Sequence, residues 1–537
     1  MLNRKLTLAV SAALLCAPLA QAQTWTVVAA ESGSIVNANL PGASRSITDY
    51  LYGDTGNDQF SFRVTAPTAS IGYWANRAGV LTQYAATGSN GVLGPGRSGA
   101  ESAHQFLNLY GSGGAGAGGQ RSFIARAGDP AVPAGISYGA WRWDTNRNVE
   151  IARTFVSDAL GPGLPGWIFP NASDFADLRS MDGGKALLDT SVTNSTSGAT
   201  SRLIVKHVPG LGNQPCVRAG ATEAALAPGL TPGDSFQTPW GMGNLSVSTT
   251  GRVYANLNAS GSRGGIWEIC NGAPRALAAD DDDGPLGPDF GVDTAQFIND
   301  FYPAFPAQGG HIYFFASFRD TPNVTSRLGL FWNNDAGSGN KPLAMNEATG
   351  FHGPNWESTT WKNFTTNTLS VGGRYAAFYA CVDTPDNGDP CGYWRVQPGQ
   401  RPELVALQLS VPGPFGPEAG RTWRSFGASA VLPNGDLLLE AATDPNNETD
   451  LWLLEPGKAP RRILRVGQPI TFQTTGGPVT ANVSSFDLSN GGAAYARGID
   501  SWVGADGSVA VVATLSGYGE VLLRSRPSDR IFKDGFN

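Results

Sequence analysis

Residues 421–466 read RTWRSFGASAVLPNGDLLLEAATDPNNETDLWLLEPGKAPRRILRV, and they carry the plan of the whole chain. Four β-rich runs are separated by Pro433-Asn434-Gly435, by the stretch DPNNETD ending at Asp450, and by Pro456-Gly457. Asn-Gly, Pro-Gly and Asp-Pro steps supply the backbone angles that tight hairpins need. The stretch therefore reads as a four-stranded antiparallel meander.

Its third run opens with Asp450-Leu451-Trp452, and that phrase recurs along the chain. It appears as Gly72-Tyr73-Trp74, Gly139-Ala140-Trp141, Arg202-Leu203-Ile204, Gly265-Ile266-Trp267, Gly329-Leu330-Phe331, Gly392-Tyr393-Trp394 and, last, Gly519-Glu520-Val521. Successive first residues are 67, 63, 63, 64, 63, 58 and 69 apart. A period this regular excludes separate domains and indicates a repeat architecture. Each unit has three short connections and one long one. The long one carries a Gly-Pro or Pro-Gly step, as in Leu93-Gly94-Pro95-Gly96, Leu160-Gly161-Pro162-Gly163 and Val411-Pro412-Gly413-Pro414.

Short, short, short, long is the signature of a β-propeller blade, in which the long connection runs from an outer strand to the inner strand of the next blade. The ends of the chain fit this plan. The last unit has no fourth strand, whereas Trp25-Thr26-Val27-Val28-Ala29-Ala30 reads as a fourth strand with no first three. Pairing residues 24–31 with 519–525 completes an eighth blade and removes two exposed strand edges. The expected fold is all-β, an eight-bladed propeller. Seven or nine blades are the alternatives, because Ala493–Tyr495 and Ser508–Ala513 both resemble a second strand of the last unit.

Composition agrees. Gly 70, Pro 36 and only 15% charged residues suit many short strands and turns, and 41% apolar residues provide a core. A net charge of -7 with no Lys/Arg cluster argues against nucleic acid as a partner. Arg4 and Lys5, the apolar run from Leu6 to Leu19, and Ala20-Gln21-Ala22 read as an export signal cut after Ala22. No later run is long enough to span a membrane. The expected mature protein is a monomer, secreted or periplasmic, with one propeller over 23–527 and a tail over 528–537. Four cysteines remain after the cut. Cys381 and Cys391 flank one turn between neighbouring strands and are expected to pair. Cys216 with Cys270 would then join adjacent blades.

The stretches Gly373-Arg374-Tyr375-Ala376-Ala377-Phe378, Gly251-Arg252-Val253-Tyr254-Ala255 and Ile124-Ala125-Arg126-Ala127-Gly128-Asp129-Pro130 resemble a group of exported bacterial proteins with N-x-x-G-x-x-A-F repeats. The resemblance implies export and a propeller-like fold, and no reaction. The tail Phe532-Lys533-Asp534-Gly535-Phe536-Asn537 is similar to a short C-terminal tag of exported bacterial proteins.

Propeller geometry puts the long loops and the turns between second and third strands on one face, the loop face. Residues expected to converge there as a ligand site are His104, Asp174, His352, Trp356, Trp361 and Arg421. Trp167, Trp240 and Trp423 lie in or beside the same loops, while His207 and His311 fall on the opposite face. The run Asp280, Asp281, Asp282 and Asp283 offers oxygen ligands for calcium, but Ala279 stands where the first ligand of an EF-hand loop belongs. Asp383, Asp386 and Asp389 form a second acidic turn. No cofactor is otherwise expected. The chain has no G-x-S-x-G, H-E-x-x-H, P-loop or dinucleotide motif. Two functions compete. One is an extracellular binding module for a glycan, a protein or an envelope component. The other is a hydrolase or lyase working on an extracellular polymer with paired carboxylates, which need no sequence motif.

Overall fold

In the computed structural model the 421–466 meander forms four antiparallel strands, Thr422–Val431, Leu437–Asp444, Glu448–Leu454 and Arg461–Arg465. The structure describes residues 24–488 and 503–525 apart from short stretches within those ranges. The expected export signal, the expected tail over 528–537, Asp174, Trp240, Asp281, Asp282, Asp283, Asp386 and Ala493–Tyr495 lie outside the described residues.

Eight such sheets follow one another along the chain. We number them blades 1 to 8, over residues 46–86, 105–153, 167–218, 236–279, 296–345, 360–407, 422–465 and, last, 469–525 with 26–30. In blades 3, 4 and 5 the innermost strand is split into two pieces that both pair with the second strand. Blade 8 closes the ring as expected. Thr26–Ala30 pairs antiparallel with Gly519–Ser525, Thr26 opposite Arg524 and Ala30 opposite Val521. The second strand of this blade is Val509–Leu515. One more hairpin, Pro469–Thr474 with Gly477–Asp487, lies next to the closure, and the amide of Val36 donates to Gln473 O at 3.0 Å.

A bulge recurs where the third strand meets the fourth. In blades 1 to 7 the register slips by one between the second and third residues of the repeat phrase, or one residue later in blade 3, leaving Tyr84, Ile151, Cys216, Leu277, Leu343, Val405 and Ile463 as the extra residues. Blade 8 has the same slip at Val28, so the N-terminal strand carries the mark of a fourth strand. It also places the last repeat phrase at Val521-Leu522-Leu523, two residues beyond the reading from sequence.

A bulge frees a backbone carbonyl, which cannot stay buried without a donor. The next blade supplies one. Asn148 Nδ2 donates to Tyr84 O at 3.1 Å, Asn213 Nδ2 to Ile151 O at 3.0 Å, and Asn340 Nδ2 to Leu277 O at 3.1 Å. At the closure the donor is Trp25, whose indole N–H reaches Ile463 O at 2.8 Å. The same asparagines hold the Gly-Pro loops, through Gly94 O at 2.9 Å, Gly161 O at 2.7 Å and Gly287 O at 3.1 Å. Trp141, Trp267 and Trp394 of the repeat phrase donate to Pro95 O, Pro228 O and Pro354 O, each at 3.1 Å. A Cβ on Gly96 would stand 2.2 Å from Asn148 O, which is why glycine closes that motif. Blades diverge outward, and these loops fill the wedge between their outer strands.

Both expected disulfides are present. Cys381–Cys391 spans one hairpin, and Cys216–Cys270 ties the bulged strand of blade 3 to blade 4. Among the described residues no helix is long and apolar enough to cross a membrane.

Candidate functional site on the loop face of blade 2

The Gly-Pro lock decides the fate of several expected site residues. Leu93, Leu160, Leu226, Leu286 and Phe415 each precede a Gly-Pro or Ala-Pro step, and His352 occupies that position in the loop between blades 5 and 6. Its carbonyl accepts the Trp361 indole N–H at 2.7 Å, as Phe415 O accepts that of Trp423 at 2.7 Å. Burial pushes the His352 imidazole below its usual range, against a hydrogen bond with the Leu343 backbone. His352 is thus a polar occupant of an apolar plug.

Trp361 and Trp423 are both 0% exposed. They stand in register with Phe106, Phe169, Phe236 and Phe297 at the starts of the other inner strands. Trp361 packs edge-on against Trp394 at 4.8 Å. The structure therefore places Trp361 in the core and not on the loop surface. Aligning the inner strands as well as the third strands would have revealed this.

Among the described residues, His104, Trp356 and Arg421 stand in separate surroundings. His104 Nδ1 lies 2.9 Å from Arg97 Nη1, in a network where Glu150 binds both Arg97 and Arg153. Arg421 pairs with Glu418 at 3.2 Å and donates to the buried Thr443 hydroxyl at 2.8 Å. Trp356 is half-buried in a separate cleft of about 270 Å³ between blades 6 and 7, with Phe415, Arg395 and Glu455. Of the Asp280–Asp283 run, Asp280 is described: it is 3% exposed and its amide donates to Gly264 O.

A different cluster stands on the loop face of blade 2. Asn108, Arg126 and Tyr138 are direct cross-strand neighbours on its first, second and third strands. The Thr154 amide extends the row by donating to Tyr138 O at 2.9 Å. Strand alternation explains the face. Phe123, Ala125 and Ala127 of the second strand join the core with blade 1, whereas Ile124 joins Phe169 and Phe175 of blade 3. Arg126 follows Ile124 on that second face, closer to the loops.

An aromatic face flanks the guanidinium. Arg126 Cζ lies 5.7 Å from the Tyr138 ring centroid, and the Tyr110 and Tyr138 rings are 5.9 Å apart. Tyr110 is 40% exposed. Burial, and then its hydroxyl contact with Tyr138, raises the Tyr110 pKa, while Asn108 and Arg126 oppose the shift. Next along the chain from Thr154, Phe155 is 62% exposed and has φ +63. Gly88 and Gly220 hold the equivalent place after the fourth strands of blades 1 and 3, with φ 74 and 72. All three amides donate to a phenylalanine near the start of the next blade: Gly88 to Phe106 O, Phe155 to Phe169 O and Gly220 to Phe236 O. A phenylalanine thus sits where the backbone suits glycine, with its ring turned to solvent. Sequence reasoning missed this group, because Phe155 falls in a loop and Tyr110 in a strand with no repeated phrase.

Two carboxylates have raised pKa values, at different blade boundaries. Burial, with help from Asp487, raises Glu440, which accepts the Ala428 amide. Burial, with help from Glu31, raises Glu520, which accepts the Ile47 amide at 2.8 Å.

No family profile matches the chain, and no curated protein matches it. The resemblance to exported N-x-x-G-x-x-A-F repeats therefore stands on the quoted phrases alone. Among solved structures, the chain is similar to the β-propeller domain of the Trilobed protease from Pyrococcus furiosus, described as an open velcro topology. The identity is 10%, with 79% of this chain and 94% of that chain covered and a TM-score of 0.32. It is also similar to Penicillium chrysogenum alpha-L-arabinanase, at 10% identity, 76% and 90% coverage and a TM-score of 0.23. For Bacillus subtilis levansucrase the values are 10%, 69% and 88%, and 0.21.

Proposed function

We propose that the protein is an exported binding module that holds a saccharide on the loop face of blade 2, against Tyr110, Tyr138 and Phe155. The observation that carries this reading is Phe155. A bulky residue held in the left-handed region costs about 1–3 kcal/mol, and strain of this kind gathers at functional sites. Here burial gives little in return, because most of the ring is exposed. Tyrosine and phenylalanine faces beside polar hydrogen-bonding groups suit a ligand with both C–H and O–H surfaces.

The test is a saccharide array probed with the mature protein, Phe155→Gly and Tyr110→Ser. The reading expects binding that both substitutions weaken by about tenfold or more, an effect on the order of 1.4 kcal/mol. Retained binding in both variants contradicts it. The polymer-cleaving alternative has one observation in its favour, the raised Glu440 carboxyl beside Asp487. Release of reducing ends that Glu440→Gln abolishes would decide for cleavage.

A further inference from the structure

The row on blade 2 contains a cation without a counter-ion. Around it, guanidinium groups are matched to carboxylates: Arg97 to Glu150 at 2.6 Å, Arg153 to Glu101 at 3.0 Å, and Arg142 to Asp144 at 3.3 Å. Arg126 makes no ion pair with any described residue, and its Nε is buried with no hydrogen-bond acceptor. What it has instead is the Tyr138 face at 5.7 Å and the neighbouring Asn108 and Tyr110. A partly desolvated guanidinium held against an aromatic ring, with its buried Nε unpaired, is a receptor for an anion that comes from outside.

We infer that the saccharide held on blade 2 is acidic, and that the carboxylate of a uronate unit pairs with Arg126. The inference rests on the reading of this face as a saccharide site. A planar carboxylate matches the guanidinium fork. The tyrosine rings give the sugar ring a face to lie on, and the Asn108 amide adds a donor at the edge. Overall charge points to a discrete anionic group and not to a polyanion drawn in by long-range attraction. The chain carries a net charge of -7, so its far field opposes negative ligands, and attraction must come from short-range contact of the kind Arg126 offers.

The experiment is titration calorimetry of the mature protein with four probes. Two are acidic, hexagalacturonate and hexamannuronate. Two are their neutral counterparts, the hexamers of galactose and mannose with the same linkages, which differ at C6 alone. The inference expects at least one acidic hexamer to bind about tenfold or more tightly than its neutral counterpart. Arg126→Gln should bring the acidic probe down to the level of its neutral counterpart measured on the same variant. Arg126→Lys, which keeps the charge and loses the fork, should fall between them. Raising salt should weaken the acidic probe in the wild type and not in Arg126→Gln. Thermal melts of both variants report whether the blade has survived. Equal affinity for acidic and neutral hexamers overturns the charge inference and leaves the saccharide reading standing. An acid preference that survives in folded Arg126→Gln moves the anion elsewhere and overturns it. Absence of binding by either acidic hexamer also overturns it, and if the neutral hexamers and the array are silent too, the saccharide reading falls with it.

Discussion

Replacing Phe155 by glycine and by alanine gives a pair of variants whose difference isolates the backbone. Neither keeps the ring, so any loss of its partial packing cancels between them. At an ordinary loop position alanine is the more stable of the two, by about 0.4–1 kcal/mol, because glycine leaves the unfolded chain more freedom to lose. At φ +63 the order should invert. A Cβ in the left-handed region costs roughly 1–2 kcal/mol, which exceeds the entropic advantage of alanine. Phe155→Gly should therefore be more stable than Phe155→Ala by about 0.5–1 kcal/mol. Because the ring is 62% exposed, Phe155→Gly should also lie close to the wild type. Phe123→Ala, at a position 0% exposed in the same blade, should cost about 3–5 kcal/mol. Chemical denaturation followed by tryptophan fluorescence measures all four proteins. If alanine proves more stable than glycine at 155, the strain argument fails. If Phe155→Gly costs as much as Phe123→Ala, the ring is core and the site loses its main support.

Other substitutions follow from the same geometry. His352→Leu restores the residue type that most of the equivalent loops carry. It should stabilise the protein most at acid pH, because a folded-state pKa lowered by burial means stability is lost as pH falls below the unfolded imidazole value of about 6.5; a destabilised variant in urea melts at pH 5 would return His352 to the functional candidates. Glu520→Gln should raise stability at neutral pH and change little at low pH, since a carboxyl whose folded pKa is raised disfavours the fold only once it ionises; equal effects at pH 4 and pH 8 would contradict this. Replacing Cys216 and Cys270 together by serine should cost about 4 kcal/mol, and replacing Cys381 and Cys391 about 2–3 kcal/mol, because the chain separations closed are 54 and 10 residues; melts showing the reverse order would mean that strain or residual structure outweighs loop entropy.

The repeat phrase revealed the fold because its tryptophans do the same job in successive blades, and because a blade needs its turns at fixed intervals. The ring closure was legible for a related reason: Trp25-Thr26-Val27-Val28 has a fourth strand's composition and no partner nearby in sequence. The functional face was far less legible. Long loops suggested reach, yet their Gly-Pro segments are bound to bulge-capping asparagines of the next blade. His352 and Trp361 looked exposed for want of an alignment of the inner strands. Tyr110, Arg126 and Tyr138 come together only through cross-strand register, which no spacing within a single strand reports. Phe155 stands out only once its φ and its exposed ring are both known, since Glu347 after the fourth strand of blade 5 shares that backbone conformation.

The eight-bladed ring stands on its closure by the N-terminal strand, which supplies the fourth strand of blade 8. Amide hydrogen exchange on the mature protein tests this directly. The amides of Ala29 and Glu31, the latter donating to Glu520 O at 2.9 Å, should exchange as slowly as those of Val521, Leu522 and Leu523, and Trp25→Ala should release both segments together by removing the indole bond to Ile463. Rapid exchange of Ala29 and Glu31 in the wild type, beside protected residues 521–523, would contradict the closure.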